Sequence, residues 1–252
     1  MAFVRYVDGL QAILERIKRE QASNIKQAGL LVAEALAAGG IIHTFGTGHS
    51  HLIADEAFFR AGGIAAVNPI LDERTTFLRG ALESTRAEHE SGFALQLLER
   101  ENVRSVDVAV LISNSGRNAA PLEMALEMKA VGLKLIAITN LEQSRKSTPR
   151  HHSGKRLFEV VDVVVDNCVP PGDALLELSG LKTRIGPSST VAGAAVMNSI
   201  IIEGVAELLR RNQPVSVLPS ANSEGVSEQT LSEMLRQYQG RIKYIDVDGP
   251  PG

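Results

Sequence analysis

The 252-residue sequence contains no tryptophan, three tyrosines and seven phenylalanines, so it lacks the aromatic surface on which single-stranded nucleic acids or glycans stack. It has one cysteine, Cys168. No intrachain disulfide can form, which fits a reducing compartment, and a lone thiol reads as a small packed residue sooner than as a nucleophile. Neither sign of charge is in excess. With 26 basic against 29 acidic residues and a formal net charge of -3, a polybasic surface for nucleic acid or membrane is excluded. No apolar run reads as reaching the roughly 20 residues that span a bilayer, and Arg5 and Asp8 bring charge to the N-terminus. The expectation is a cytoplasmic protein with neither membrane nor nucleic acid as partner.

What is present is 44% hydrophobic residues, enough to bury one α/β core with decorations. The chain is organised around Ser113-Asn114-Ser115-Gly116-Arg117-Asn118. This stretch follows the apolar run Val106 to Ile112 and precedes a helical pattern over Ala119 to Val131, so it lies where a buried strand becomes a helix. The first N–H groups of that helix lack intrahelical partners and carry the positive end of its dipole, while Ser113, Ser115 and Asn118 offer short polar side chains. Gly116 lets the backbone approach a ligand and Arg117 adds a positive charge at the rim. The residues suit a phosphate, and equally suit plain helix capping.

Ahead of this stretch, Val7, Leu10, Leu14, Ile17, Ile25, Ala28, Leu31, Val32 and Leu36 recur at helical spacing, predicting one long helix, or two joined near Ser23, for packing or dimerisation over 1–38. Gly39-Gly40 ends it. Ile41 to Phe45 reads as a strand, then Gly46-Thr47-Gly48-His49-Ser50-His51 as a second glycine turn, with a helix from about Leu52 to Ala61 and a strand over Ile64 to Val67. The turn has no third glycine and no acidic strand tip, so it does not read as a dinucleotide site, and no Gly-Lys-Ser/Thr loop is present. Strands are further predicted over Leu133 to Thr139 and Phe158 to Val165, and the β-α-β alternation implies a parallel sheet. Asn140 to Arg156 reads as an unusually long connection carrying Arg145, Lys146, Arg150, His151, His152, Lys155 and Arg156, either a mobile basic lid or a solvated loop. Asp166 and Asp173 are ligand contacts or turn formers. Leu175 to Gly186 suggests a strand pair. Ser188-Ser189-Thr190 caps an apolar helix running to about Leu209, placed inside the domain or at a dimer interface. Residues 39–212 thus form the core domain, and 213–252 a loop, a helix over Glu228 to Tyr238, and a poorly ordered Gly/Pro tail from Asp246.

Gly-Thr-Gly-His-Ser with its helix and Gly62-Gly63, Leu111-Ile112-Ser113-Asn114-Ser115-Gly116-Arg117-Asn118, and Gly132 to Asn140 together resemble the sugar isomerase (SIS) phosphosugar-binding fold, over roughly Gly39 to Leu209. The chain looks like a branch of SIS proteins that carries the phosphoheptose isomerase label. The resemblance implies a three-layer α-β-α sandwich around a flavodoxin-like five-stranded parallel sheet. It also implies a homodimer or tetramer with shared sites, and phosphate held by Ser50, Ser113, Ser115 and the helix start that follows, with Gly48 and Asn114 beside them. The catalytic pattern of phosphoheptose isomerases does not carry over: Glu56 and Arg60 stand where that family has its early-helix His and Glu, and the late helix offers Thr190, Asn198, Ser199 and Glu203 in place of Gln and His. A zinc site of that type is not expected, nor a nucleotide or other cofactor. The muramic-acid phosphate etherases of the same fold have their key Glu at the position of Arg60, so that activity is not expected either.

Aldose-ketose isomerisation needs a base that moves a proton between adjacent carbons, a group that assists ring opening, and a charge for the oxyanion. Glu56 is the first choice for base, with Glu83 and Glu88 behind it. His49 and His51 flank Ser50 and are candidates for ring opening or hydroxyl binding. Arg60 either stabilises charge or pairs with Glu56 four residues away. His43, inside an apolar strand, reads as a hydrogen-bonded core histidine. The leading reading is a phosphosugar isomerase. The alternatives are a non-catalytic phosphosugar sensor, and a deaminase or lyase acting on amino-sugar phosphates.

Overall fold

The computed structural model describes residues 1–247, so the part of the expected tail beyond Val247 lies outside the described residues. Helices α1 (Ala2–Glu20) and α2 (Ala22–Ala37) are separate, breaking at Gln21, two residues before the expected joint. Ile13, Ile17, Ile25, Ala28 and Val32 fall on one side and are buried, while the charged positions between them face outward. Gly40 is required because a Cβ there would lie 2.4 Å from the Val106 carbonyl oxygen. There follow β1 (Ile42–Gly46), α3 (Ser50–Glu56), β2 (Val67–Ile70), α4 (Ala81–His89), α5 (Phe93–Leu98), β3 (Val108–Ile112) and α6 (Ala119–Val131). The chain continues through β4 (Lys134–Thr139), α7 (Leu141–Lys146), β5 (Val163–Asp166), an antiparallel pair β6 (Ala174–Leu176) and β7 (Ile185–Pro187), α8 (Ser189–Arg210) and α9 (Glu228–Leu235).

Strands β1 to β5 form one parallel sheet in the order β2-β1-β3-β4-β5, the expected flavodoxin-like arrangement. Nearly every residue of β1, β3 and β4 is buried, because helices cover both faces. Ile42, Val108, Val110 and Ile136 pack toward α1, α2, α3 and α8, and Phe45, Ala109, Leu111 and Leu135 toward α5 and α6. Residues 213–247 fold back so that Leu218, Leu231, Leu235, Ile242 and Ile245 cover Ile41, Ala65 and Ala66.

Four local expectations are corrected. The strand expected over Ile64 to Val67 is β2, which begins at Val67 and runs through Pro69, since an edge strand tolerates a residue without an N–H donor. The helix expected to reach Ala61 stops at Glu56, and Phe59 then takes a left-handed φ of 38° that no helix can contain. The strand expected from Phe158 starts at Val163, because Leu157–Glu159 forms a 3₁₀ turn in which the Glu159 side chain accepts from the Arg156 N–H. The long connection expected to be either a mobile lid or a solvated loop contains α7, started by Asn140, whose side chain accepts from the Gln143 N–H at 3.0 Å.

Helix α8 is also reread. Among the described residues it alone is long and apolar enough to cross a membrane by length and composition, a length not credited to any run in the sequence. In the fold, Ala192, Val196, Met197, Ile200 and Leu208 are buried, whereas Ile202 and Leu209 remain 63% and 61% exposed. Helices α2 and α8 meet at glycines: a Cβ on Gly29 would stand 2.5 Å from the Glu203 Cβ, and one on Gly204 2.6 Å from a Val32 methyl. Gly29→Ala is therefore expected to cost about 1–3 kcal/mol by overpacking, read as a lowered urea midpoint at unchanged slope.

One carboxylate fastens the C-terminal segment to the sheet. The buried Asp107 accepts from the N–H groups of Ile41 (3.0 Å) and Arg104 (2.7 Å), takes Arg241 Nη2 on both of its carboxylate oxygens (2.7 and 3.0 Å), and faces His43 Nε2 at 3.2 Å. His43 is the hydrogen-bonded core histidine expected, its Nδ1 lying 3.1 Å from the Asn68 amide. Burial pushes the Asp107 pKa upward, but His43, the two backbone donors and Arg241 outweigh it and hold it at about 2. A depressed pKa contributes stability above the unfolded value of 3.8 that disappears as pH falls through about 2. Urea midpoints should thus drop between those two values, and Asp107→Asn should flatten that part of the profile while lowering stability at neutral pH.

Candidate functional site

Strands β1 and β3 are neighbours, and from them the chain crosses in opposite directions, to β2 on one side and β4 on the other. Such a reversal leaves a crevice beyond the carboxyl ends of the two strands. An open cleft of about 510 Å³ lies there, within the range of small-ligand pockets. It is lined by Thr47, Gly48, His49 and Ser50 from the first turn, Ser113, Asn114, Ser115 and Asn118 from the second, and Glu88, Gln143, Asp173, Pro187, Ser189 and Thr190 from elsewhere.

Each turn is shaped by glycine and tied from behind. A Cβ on Gly46 would come 2.5 Å from the Ser50 carbonyl oxygen, so only glycine lets β1 fold back onto α3. Gly48 has a φ of 53°, and its N–H donates to the Thr75 carbonyl at 2.9 Å. In the second turn the Gly116 N–H donates to Ser113 Oγ at 3.1 Å, the Thr139 hydroxyl donates to the Ser113 carbonyl at 2.7 Å, and the Asn167 amide donates to Asn114 Oδ1 at 2.6 Å. Among the described residues the hydroxyls of Ser50 and Ser115 and the N–H group of Ser115 have no hydrogen-bond partner. These free donors converge with the start of the 13-residue helix α6 on the same crevice, which suits an anion.

Two of the second-turn residues act from the other side. Gly116 has a φ of 57°, and a Cβ there would meet Leu157 and the Ser144 hydroxyl, each at 3.1 Å, so its openness serves the 144–157 connection and not a ligand approaching from the cleft. Arg117 does not line the cleft; its carbonyl accepts from the Arg150 N–H at 3.2 Å.

The carboxylates and imidazoles divide sharply. Glu88 lines the cleft and accepts from the Asn118 side-chain amide at 2.7 Å. Asp173 lines it too, but is spent on the first turn of α8: one carboxylate oxygen accepts from the N–H groups of Ser188 (2.8 Å) and Ser189 (2.6 Å), the other from the Ser189 hydroxyl (2.8 Å). His49 is exposed at the cleft wall with its ring 4.8 Å from that of Phe77. His51 points away. Its Nδ1 donates to the Gly48 carbonyl at 2.5 Å, and it faces a separate hollow with Asp55, Asp72 and Phe77. Glu56 and Arg60 pair with each other outside the cleft, and Glu83 is held by Arg74 and Arg86, which depress its pKa. Asn198 and the Ser199 hydroxyl donate to carbonyls one turn back in α8, and Glu203 lies at the α2 crossing.

The basic connection is not a free lid. The Leu157 N–H donates to the Gly116 carbonyl at 2.7 Å, Arg156 caps the end of α7 and pairs with Glu159, and His151 is buried beside Glu123, burial and then His152 pushing its pKa down. Cys168 is buried as well, and burial, reinforced by Asp166, pushes its thiol up to about 11. Among the described residues no group of three His, Cys, Asp or Glu side chains is placed to hold a metal ion. Sequence reasoning ranked Glu88 low and missed Thr47, Gln143 and Ser189. None of these carried a signal in the sequence that would have set it apart.

Residues 5–140 match the SIS domain family, a span ending just past β4. A UPF0309 protein of Geobacillus thermodenitrificans is 40% identical over 238 residues, covering 93% of this chain and 95% of the relative. Another, from Thermoanaerobacter pseudethanolicus, is 38% identical over 96% of this chain and 99% of its own length. Among solved structures, the phosphoheptose isomerase of Neisseria gonorrhoeae superposes with a TM-score of 0.55 at 15% identity, over 81% of this chain and 97% of that one, a likeness of fold.

Proposed function

From the premise that the chain belongs to the SIS domain family, we propose that it binds a sugar phosphate in the cleft between the two glycine turns and catalyses aldose-ketose isomerisation on it. The observation that carries this reading is the convergence of unpartnered serine hydroxyls and the Ser115 N–H on a crevice that also holds one available carboxylate, Glu88. The phosphoryl group sits against Ser113, Ser115 and the start of α6, with Ser50 closing from the first turn. The sugar backbone then extends toward Glu88. As base, Glu88 takes the C2 proton of the open-chain aldose; the electron pair of that bond forms the C1–C2 double bond of an enediol, and the proton returns to C1 as the C2 hydroxyl becomes a carbonyl. No electrons enter or leave. His49 at the wall assists ring opening and moves the hydroxyl proton from O2 to O1.

We propose further that the protein works in the cytoplasm as a homodimer or larger homo-oligomer. Phe3 (64% exposed), Val7 and Leu14 on α1 give the second copy an apolar face to cover. Light scattering of the intact protein should read at least twice 27.0 kDa.

The test incubates the pure protein in deuterated water with a panel of C5 to C7 aldose and ketose phosphates, amino sugars included. Deuterium entering at C2, or at C1 of the ketose, supports isomerisation. A second reading, a phosphosugar sensor, is favoured by the placement of Glu56, Arg60 and Glu83 outside the cleft, and tight binding without exchange or turnover would select it.

A further inference from the structure

The three residues Arg150, Asn118 and Glu88 come from a connection, a helix start and a separate helix, yet they form one chain of hydrogen bonds at the cleft rim. Arg150 Nη1 donates to Asn118 Oδ1 at 3.0 Å, and Asn118 Nδ2 donates to Glu88 Oε1 at 2.7 Å. The polarity of this chain is forced. A guanidinium has only donors, so the carbonyl end of the Asn118 amide must face Arg150 and its NH₂ end must face Glu88. The ionised Glu88 carboxylate only accepts and so holds the same NH₂ end; without Arg150 the amide keeps that bond but loses the anchor on its oxygen that fixes its plane. Arg150 is itself held, by its N–H on the Arg117 carbonyl and by its Nη1 against His89 Nε2 at 2.7 Å. Helix α4 therefore touches this arginine at two successive residues, directly through His89 and indirectly through Glu88.

We infer that Arg150 is a positioning residue: through the Asn118 amide it fixes the orientation of the Glu88 carboxylate, and so orders the base of the reaction without touching the sugar. The inference rests on the reading of Glu88 as base, but the hydrogen-bond relay is testable apart from it. Oε1 is occupied by the amide, which leaves Oε2, with no partner among the described residues, as the oxygen that takes the proton. Because the same connection donates to the carbonyls of Arg117 and Gly116, the second turn and the base share one support.

The experiment uses the full-length protein and the variants Arg150→Met, Arg150→Lys and Glu88→Gln. In the ligand-free protein the ¹H–¹⁵N pair of the Asn118 side chain, assigned with Asn118→Asp, should shift in Arg150→Met and also in Glu88→Gln, with partial recovery in Arg150→Lys. Affinity for inorganic phosphate, measured by calorimetry, should stay within about threefold in Arg150→Met, which shows that the turn is intact. On the sugar phosphate that exchanges fastest, Arg150→Met should lower kcat by about tenfold or more with KM little changed, the pattern of a lost transition-state arrangement. An Asn118 pair unmoved in Arg150→Met would overturn the relay, and so would an equal loss in KM alone. Absence of exchange on every sugar in the wild type would instead remove the isomerase reading, while the amide resonance still decides the relay.

Discussion

Glu88→Gln is expected to lower proton exchange at C2 by about a thousandfold or more while leaving sugar-phosphate affinity within a few-fold. The amide keeps the shape of the side chain and can still face Asn118, but it has no lone pair basic enough to take a carbon-bound proton, and the contribution of a positioned general base is typically about 10²–10⁴-fold. Glu88 is the carboxylate that lines the cleft without being spent elsewhere, since Asp173 is engaged by the first turn of α8. Full exchange activity in the glutamine variant would show that the proton leaves to another group. Glu56→Gln is the matched control: its ion pair with Arg60 lies outside the cleft, so activity should be retained.

The double variant Ser113→Ala, Ser115→Ala should weaken sugar-phosphate binding by about a hundredfold or more. Each hydroxyl lost removes a charge-assisted hydrogen bond to the phosphoryl group, worth about 1.5–3 kcal/mol. Ser113 contributes twice, because its oxygen also receives the Gly116 N–H at 3.1 Å and so holds the turn in the conformation that aims the other donors. Affinity for the unphosphorylated sugar, weak to begin with, should not change. Titration calorimetry on both ligands checks this, and equal phosphosugar affinity in variant and wild type would place the anion elsewhere.

The parallel sheet was legible because β1, β3 and β4 are short, largely apolar runs bounded by glycine, serine or asparagine, a pattern with few other solutions. The two turns were legible for the same reason: Gly46, Gly48 and Gly116 mark where the chain must leave a strand sharply. Boundaries failed where a local rule was overridden by position in the sheet, as at Pro69, which reads as a break but sits on an edge. The short α7 was hidden in a run of charged residues, though Asn140 three residues before Gln143 is a capping signal. The base was harder. Helix phase along α3 had to be guessed from Ser50, and the actual helix ends at Glu56, turning that carboxylate toward Arg60. Glu88, 38 residues after Ser50 in the chain, reaches the cleft only because α4 is laid beside α6 by the fold. Nothing in the spacing of residues announces that neighbourhood.

The carboxylate of Asp173 has a bearing on which ligands are refused. Two long helices, α6 and α8, begin at the rim of the crevice, and the second already has a negative group of the protein's own seated on it. A molecule phosphorylated at both ends would bring a second dianion up against that resident charge, with no vacant berth to receive it. Competition assays should accordingly rank monophosphates ahead of the corresponding bisphosphates, by the repulsion between like charges and not by any difference in size.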